Sequence, residues 1–275
     1  MSAPTPTHDA WVILNGAALR APEVAVSPLG AGLQLGHGVY TTLKVEAGRP
    51  VFFTEHHARL SADALAVGLQ PPDRDGLRAR VELCLSRNAV AWAALKILLF
   101  QDAGRTSELI ALRGPSPLES ARVRGCRLKT VAGPAGSPAT LCHKTTSYLS
   151  HLLARQEAQA AGCDDALWLD GGGRILETAG ANIFVVDRSG DVLTPPVSRG
   201  LLPGVVRGAI LREFPGAREV AVDLTALADA AELFITNSLI GVLPVAAVDG
   251  REFDVASYRV APAVAECVRR AEAAA

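Results

Sequence analysis

His143-Lys144-Thr145-Thr146-Ser147-Tyr148 is the stretch on which the fold turns, and Leu176-Glu177-Thr178-Ala179-Gly180-Ala181-Asn182 follows it some thirty residues later. A lysine amine works as a covalent catalyst where it can form a Schiff base with a carbonyl, and an electron-sink group bound that way needs a carboxylate beside its ring nitrogen. Lys144 and Glu177 supply those two parts. Only four lysines occur, Lys44, Lys96, Lys129 and Lys144, among 27 basic residues. A lysine kept between two polar runs therefore draws notice, although alone it would read as a solvated lysine at a helix start.

Working outward, 275 residues with 49% hydrophobic and 20% charged side chains fit one large or two modest globular domains with a real core. A formal net charge of −1, with no run of Lys and Arg interleaved with aromatics, leaves no electrostatic footprint for a nucleic acid. The start, Met1 to Asp9, has neither a basic nor an apolar leader segment, and no stretch of about 18 apolar residues occurs. A soluble cytoplasmic protein with no membrane partner is expected. The five cysteines, Cys84, Cys126, Cys142, Cys163 and Cys267, are odd in number and widely spaced, so they read as reduced thiols. His56-His57 diverge on a helix and have no second cluster to complete a metal site, so no metal is expected and the pair reads as structural.

The pattern along the chain is α/β. An apolar strand at 11–14 meets an Asn15-Gly16 turn, and Gly38 to Val45 has strand character, with Ala47-Gly48-Arg49-Pro50 turning it into a returning strand at 51–53. Thr54 then caps a helix that ends at Gly68, and a second helix lies around 77–88. Short strands are expected at 96–100, 109–112 and 127–131. The breaker Ala132-Gly133-Pro134-Ala135-Gly136-Ser137-Pro138 marks a boundary, giving domains 1–131 and 141–275 with an interdomain loop at 132–140. Beyond it, a helix is predicted over 145–161 with Lys144 just before it, then strands at 166–169, 174–176 and 182–186 around Asp170-Gly171-Gly172-Gly173. A helix from Pro203-Gly204 through Arg212 follows, then strands at 219–222, 233–236 and 242–248 and a terminal helix from about Tyr258.

Six ordered segments carry a resemblance that spans most of the chain: Gly36-His37-Gly38-Val39-Tyr40-Thr41-Thr42, Glu55-His56-His57-Ala58-Arg59-Leu60, the Lys144 and Glu177 segments, Leu202-Pro203-Gly204-Val205-Val206-Arg207 and Thr236-Asn237-Ser238. The chain resembles the fold-type IV, or class IV, pyridoxal phosphate enzymes, which include branched-chain and D-amino-acid aminotransferases and 4-amino-4-deoxychorismate lyase. The resemblance implies a two-domain D-amino-acid aminotransferase-like α/β (α+β) fold with pyridoxal 5'-phosphate in the interdomain cleft, and a homodimer.

Carried over residue by residue, the resemblance makes Lys144 the Schiff-base lysine and Glu177 the partner of the pyridine nitrogen. Arg59 would take the phosphate with its guanidinium fork, joined by the N–H groups of Val205 and Val206 at a helix start and by the Ser238 hydroxyl. Tyr148 matches a position near the cofactor's phenolic oxygen, and equally fits a core tyrosine. Tyr40 and Thr42 would face the substrate, though threonines there also suit β propensity alone. Asn237 lies in a loop like that of the lyases. Where many relatives carry a carboxylate-binding arginine this chain has Gln101, and Arg105 either replaces it from the adjacent loop or faces solvent. The expected activity on this small-molecule substrate is that of the lyase, giving 4-aminobenzoate and pyruvate for folate synthesis. An aminotransferase of D- or branched-chain amino acids with a 2-oxo acid acceptor is the alternative, and fold cannot choose between them.

Overall fold

The computed structural model describes residues 7–133 and 141–275. The chain divides into two compact units. One holds the residues up to Pro115 together with Lys144–Ser147, and the other holds Ser116–His143 and Tyr148–Ala274.

The first unit is built on a six-stranded antiparallel sheet in the order β2-β1-β6-β5-β3-β4. Its strands are β1 (Trp11–Leu14), β2 (Ala17–Arg20), β3 (Gly38–Glu46), β4 (Arg49–Pro50), β5 (Ala93–Asp102) and β6 (Arg105–Arg113). Asn15 and Gly16 both take positive φ (50° and 87°), the backbone that a two-residue hairpin turn requires. Helices α1 (Ala31–Leu35), α2 (Phe53–Ala66) and α3 (Arg74–Arg87) accompany the sheet. Asp73 caps α3 by accepting the Gly76 N–H. The core joins Val39, Leu43 and Val45 of β3 to Phe53, Leu60 and Ala64 of α2 and to Leu77, Val81 and Cys84 of α3. Each large side chain buried there contributes about 1.5–3 kcal/mol.

Two expectations change here. The returning strand is only Arg49–Pro50, because Phe52 turns to φ 53° and drives the completely buried Phe53 under the sheet as the first residue of α2, one residue ahead of the expected Thr54 cap. Residues 145–147 are not helical. Thr145 bridges Val39, the Thr146 N–H donates to Gly38 O at 2.8 Å and the Thr146 hydroxyl to Gly36 O at 2.7 Å, so this segment spends its hydrogen bonds on β3 and on Gly36 just before it rather than on a helix turn.

The second unit is built on a nine-stranded mixed sheet, β12-β11-β10-β13-β14-β7-β8-β9, with β15 paired to β14. Its strands are β7 (Cys126–Ala132), β8 (Asp165–Leu169), β9 (Ile175–Thr178), β10 (Asn182–Val186), β11 (Val192–Thr194), β12 (Ala217–Glu219), β13 (Glu232–Asn237), β14 (Gly241–Val248) and β15 (Arg251–Glu252). Helices α4 (Leu149–Ala160), α5 (Val205–Glu213), α6 (Leu224–Ala228) and α7 (Val260–Ala274) pack with it. The strand expected at 219–222 is instead the short β12, paired in parallel with β11.

The division of the chain differs from the one expected. β7 pairs in parallel with both β14 and β8, so it is an interior strand of the second sheet, whereas Lys144–Ser147 groups with the first unit through β3. Of the expected loop at 132–140, residues 134–140 lie outside the described residues. Cys84, Cys126 and Cys267 are buried free thiols, and burial pushes the Cys84 thiol up to about 11. Among the described residues no group of three or more His, Cys, Asp or Glu is arranged to hold a metal, and no helix is long and apolar enough to cross a membrane.

Candidate active site

Alternation along β3 sorts its side chains. Val39, Leu43 and Val45 enter the core with α2, which puts Thr41 on that face and Tyr40 and Thr42 on the other. On α2, His56, Arg59 and Asp63 follow one another at three and four residues, the spacing of one helix side. Each reaches a different partner. His56 Nδ1 lies 2.7 Å from Thr41 Oγ1, Arg59 Nη2 donates to the same hydroxyl at 2.9 Å, and Asp63 Oδ2 accepts the Lys144 N–H at 3.2 Å.

Lys144 is thus held by its main chain from two sides, since its carbonyl accepts the Tyr40 N–H at 2.9 Å. Its amine lies 4.8 Å from the centroid of the Tyr40 ring. A second amine, that of Lys96, lies 4.1 Å from the same centroid, because Lys96 sits directly opposite Thr42 in the β3–β5 register and so shares a face with Tyr40. Burial, with a lesser contribution from Arg113, lowers the Lys96 pKa. The Thr42 hydroxyl is buried with no hydrogen-bond partner among the described residues. Burial holds His56 well below its ordinary value, and the neighbouring charges of Arg59 and Lys144 push it further down, so its imidazole is neutral.

In the second unit, Glu177 stands at the end of β9 with both carboxylate oxygens engaged. Oε1 accepts the Leu202 N–H and Oε2 the Asn182 amide, each at 2.9 Å. The same amide nitrogen donates to Leu202 O at 2.9 Å, so carboxylate, amide and turn form one closed network. That turn delivers Gly204, the residue before α5, in extended backbone (φ −64°, ψ 141°). A Cβ at Gly204 would overlap Asn182 Oδ1, which is why this position needs glycine. Val205 and Val206 then open the helix, where the first N–H groups have no intrahelical acceptor and the dipole is positive.

Tyr148 precedes α4, stacks on His151 at 4.2 Å between centroids and donates its hydroxyl to Ala179 O at 2.8 Å. It therefore borders the Glu177–Asn182 loop. Asn237, expected to meet substrate, gives its amide N–H to Gly180 O at 2.9 Å, and its oxygen accepts the Leu239 and Ile240 N–H groups. Those bonds make it an organiser of the loop after β13, in which Ser238 is half-buried. Arg105 is exposed at the tip of the β5–β6 hairpin, opposite Asp102 across a turn whose Ala103 and Gly104 both have positive φ.

Sequence reasoning missed Thr41, Asp63 and Lys96, and read His56 as structural. The signals were present in part. The 56/59/63 spacing is visible once α2 is placed, and Thr41 follows from strand parity. Lys96 required the β3–β5 register, which sequence does not state.

The amino-transferase class IV family model matches residues 38–248. The branched-chain-amino-acid aminotransferase of Escherichia coli K12 is 27% identical over 267 residues, covering 87% of this chain and 85% of that protein. A D-alanine aminotransferase of Bacillus licheniformis is 26% identical over 255 residues, covering 87% and 89%. Among solved structures, a branched-chain aminotransferase from Thermoproteus uzoniensis with norvaline superposes with a TM-score of 0.86 at 25% identity, covering 95% and 94% of the two chains. With ordered Lys144, Glu177 and Arg59 segments inside a match that covers most of its length, the chain belongs to the class IV aminotransferase family of pyridoxal phosphate-dependent enzymes.

Proposed function

We propose that this enzyme transfers the amino group of a branched-chain or D-amino acid to a 2-oxo acid, with Lys144 as the covalent and proton-carrying residue. The observation that carries this reading is the setting of Lys144: a lysine whose main chain is bonded to β3 and α2 while its amine stays beside the Tyr40 ring. The relatives named above are aminotransferases, which supports amino transfer over elimination.

The donor set suits pyridoxal 5'-phosphate. It offers an amine for the aldehyde carbon, a carboxylate for the ring nitrogen, and for the phosphate a guanidinium, the start of a nine-residue helix and a hydroxyl. When bound, the cofactor supplies an electron sink for the carbanion left on proton removal. Lys144 would provide the amine that holds the cofactor and would carry the proton taken from the substrate α-carbon. Glu177, its carboxylate held by Asn182 and Leu202, would favour the protonated form of the ring nitrogen. Arg59, the Val205 and Val206 N–H groups and Ser238 would bind the phosphate, and Tyr148 would meet the phenolic oxygen by turning its one hydroxyl proton away from Ala179 O.

On the substrate side we assign Tyr40, Thr42 and Lys96. The Lys96 amine and the buried Thr42 hydroxyl share one face of the sheet, so they form a carboxylate site that does not need Arg105. That pairing also favours a second reading, elimination from 4-amino-4-deoxychorismate. This substrate carries two carboxylates, and in this reading Lys144 would take the proton from the amine-bearing carbon while the enolpyruvyl group is expelled as enolpyruvate, which takes up a proton to become pyruvate. Purified enzyme with added cofactor separates the two readings. D- and L-amino acids are supplied with 2-oxoglutarate or pyruvate, and 4-amino-4-deoxychorismate is supplied in parallel. Amino transfer without 4-aminobenzoate is expected, and stoichiometric 4-aminobenzoate and pyruvate with little amino transfer would replace it by the lyase. We further propose a homodimer of soluble, cytoplasmic enzyme, tested by light scattering of the active protein.

A further inference from the structure

We propose that Thr41 and His56 are positioning residues that set the pose of the Arg59 guanidinium and thereby the enzyme's selectivity for the phosphorylated cofactor. This rests on the assignment of Arg59 to the phosphate made above.

Each group in the network has a fixed number of protons to give. A guanidinium has five N–H donors and no acceptor, so in the 2.9 Å contact Arg59 Nη2 donates and Thr41 Oγ1 accepts. Thr41 is fully buried, and its own hydroxyl proton needs an acceptor. His56 Nδ1, at 2.7 Å, is that acceptor. The direction of the chain is therefore Arg59 to Thr41 to His56, which assigns His56 the tautomer with its proton on Nε2. The surroundings agree: burial and the charges of Arg59 and Lys144 disfavour the imidazolium, so the Nδ1 lone pair stays available.

The same assignment leaves the Nε2–H buried, 1% exposed at the residue, with no hydrogen-bond partner among the described residues. A buried donor left without an acceptor is unfavourable, and an apolar residue would avoid it. The network tolerates the orphan because a neutral imidazole is what orients the Thr41 hydroxyl, and the hydroxyl in turn holds one edge of the guanidinium. One N–H of Arg59 is committed in this way, which restricts the rotation of the planar guanidinium and lowers the ordering cost of taking a phosphate.

The test compares affinity for pyridoxal 5'-phosphate with affinity for pyridoxal, which has the same aldehyde and ring but no phosphate, by titrating each into cofactor-free enzyme and following the visible absorbance. Thr41→Val, nearly isosteric but without the hydroxyl, is expected to lower the ratio of the two affinities about tenfold, the effect of one hydrogen bond to a charged group. Thr41→Ser is expected to restore it to within about twofold, and His56→Gln to fall between, since its amide can still accept. In an Arg59→Ala background Thr41→Val should change the ratio no further, because it acts through Arg59. If Arg59→Ala leaves the ratio unchanged, the phosphate assignment itself fails. If Arg59→Ala collapses the ratio but Thr41→Val weakens both ligands equally, or neither, then the assignment of Arg59 survives and the positioning role of Thr41 and His56 is overturned.

Discussion

Lys144 and Glu177 are fixed in opposite ways. Glu177 is held by residues close to it in sequence, Asn182 five residues on and Leu202 twenty-five, and the bonds are made by its own carboxylate. Lys144 is held across 81 residues to Asp63, and farther to Tyr40, and the bonds are made by its main chain. A side chain whose carboxylate is the anchor has little freedom left. The bonds that anchor Lys144 by its backbone do not use its amine, which lies beside the Tyr40 ring.

That contrast yields tests in descending size of effect. Lys144→Ala should lower amino transfer by several orders of magnitude and abolish the visible absorbance of bound cofactor, while the urea midpoint barely moves because the backbone bonds remain. A large fall in stability would show that the amine, and not only the main chain, holds this segment. Gly204→Ala, which forces a Cβ into Asn182 Oδ1, should cost about 2–3 kcal/mol by urea unfolding and loosen Glu177 with it. An unaffected protein would mean that the Glu177 network is not rigid.

The buried network on α2 gives a pH signature. His56 has its folded pKa lowered below 6.5, so between the folded value and 6.5 the unfolded chain binds a proton that the native chain does not. Stability from this group is therefore fully present above about pH 6.5 and is lost as pH falls through that window, by at most about 1.4 kcal/mol per pH unit. Urea midpoints measured from pH 8 to 5 should fall more gently in His56→Gln, and parallel curves would show that His56 takes up its proton as readily folded as unfolded. The smallest effect belongs to Asp63→Asn, which keeps an acceptor for the Lys144 N–H and should cost about 1 kcal/mol or less. A change in cofactor affinity larger than the change in stability would give Asp63 a part in placing the amine.

The ease with which each part could be read follows the same division. The Asn15-Gly16 hairpin, β3, β10, β13, the helix after Gly204 and the Lys144, Glu177 and Arg59 segments were visible because turn chemistry, periodicity and ordered motifs are local. Phe52 was missed because its left-handed backbone serves Phe53, whose burial is a tertiary fact. Residues 145–147 looked like the first turn of α4, yet their hydroxyls and N–H groups were claimed by Gly36 and Gly38, more than a hundred residues earlier. Composition breaks after β7, which marks it as the end of the first domain, yet parallel pairing with β8 and β14 makes it an interior strand of the second sheet.

By itself the sequence determined the class of chemistry: one lysine in a polar run, one carboxylate before an Asn-containing loop, one arginine on a helix and a Pro-Gly helix start are identities that no fold can supply. Only the tertiary structure decided how those groups are held and which neighbours they acquire. Strand parity put Thr41 against α2 and Tyr40 on the other face, the β3–β5 register brought Lys96 to the Tyr40 ring, and the packing of α2 buried a neutral histidine behind Arg59. The physical reason is that side-chain chemistry is a property of one residue, whereas hydrogen-bond direction, desolvation and charge proximity are properties of pairs that the chain brings together only on folding.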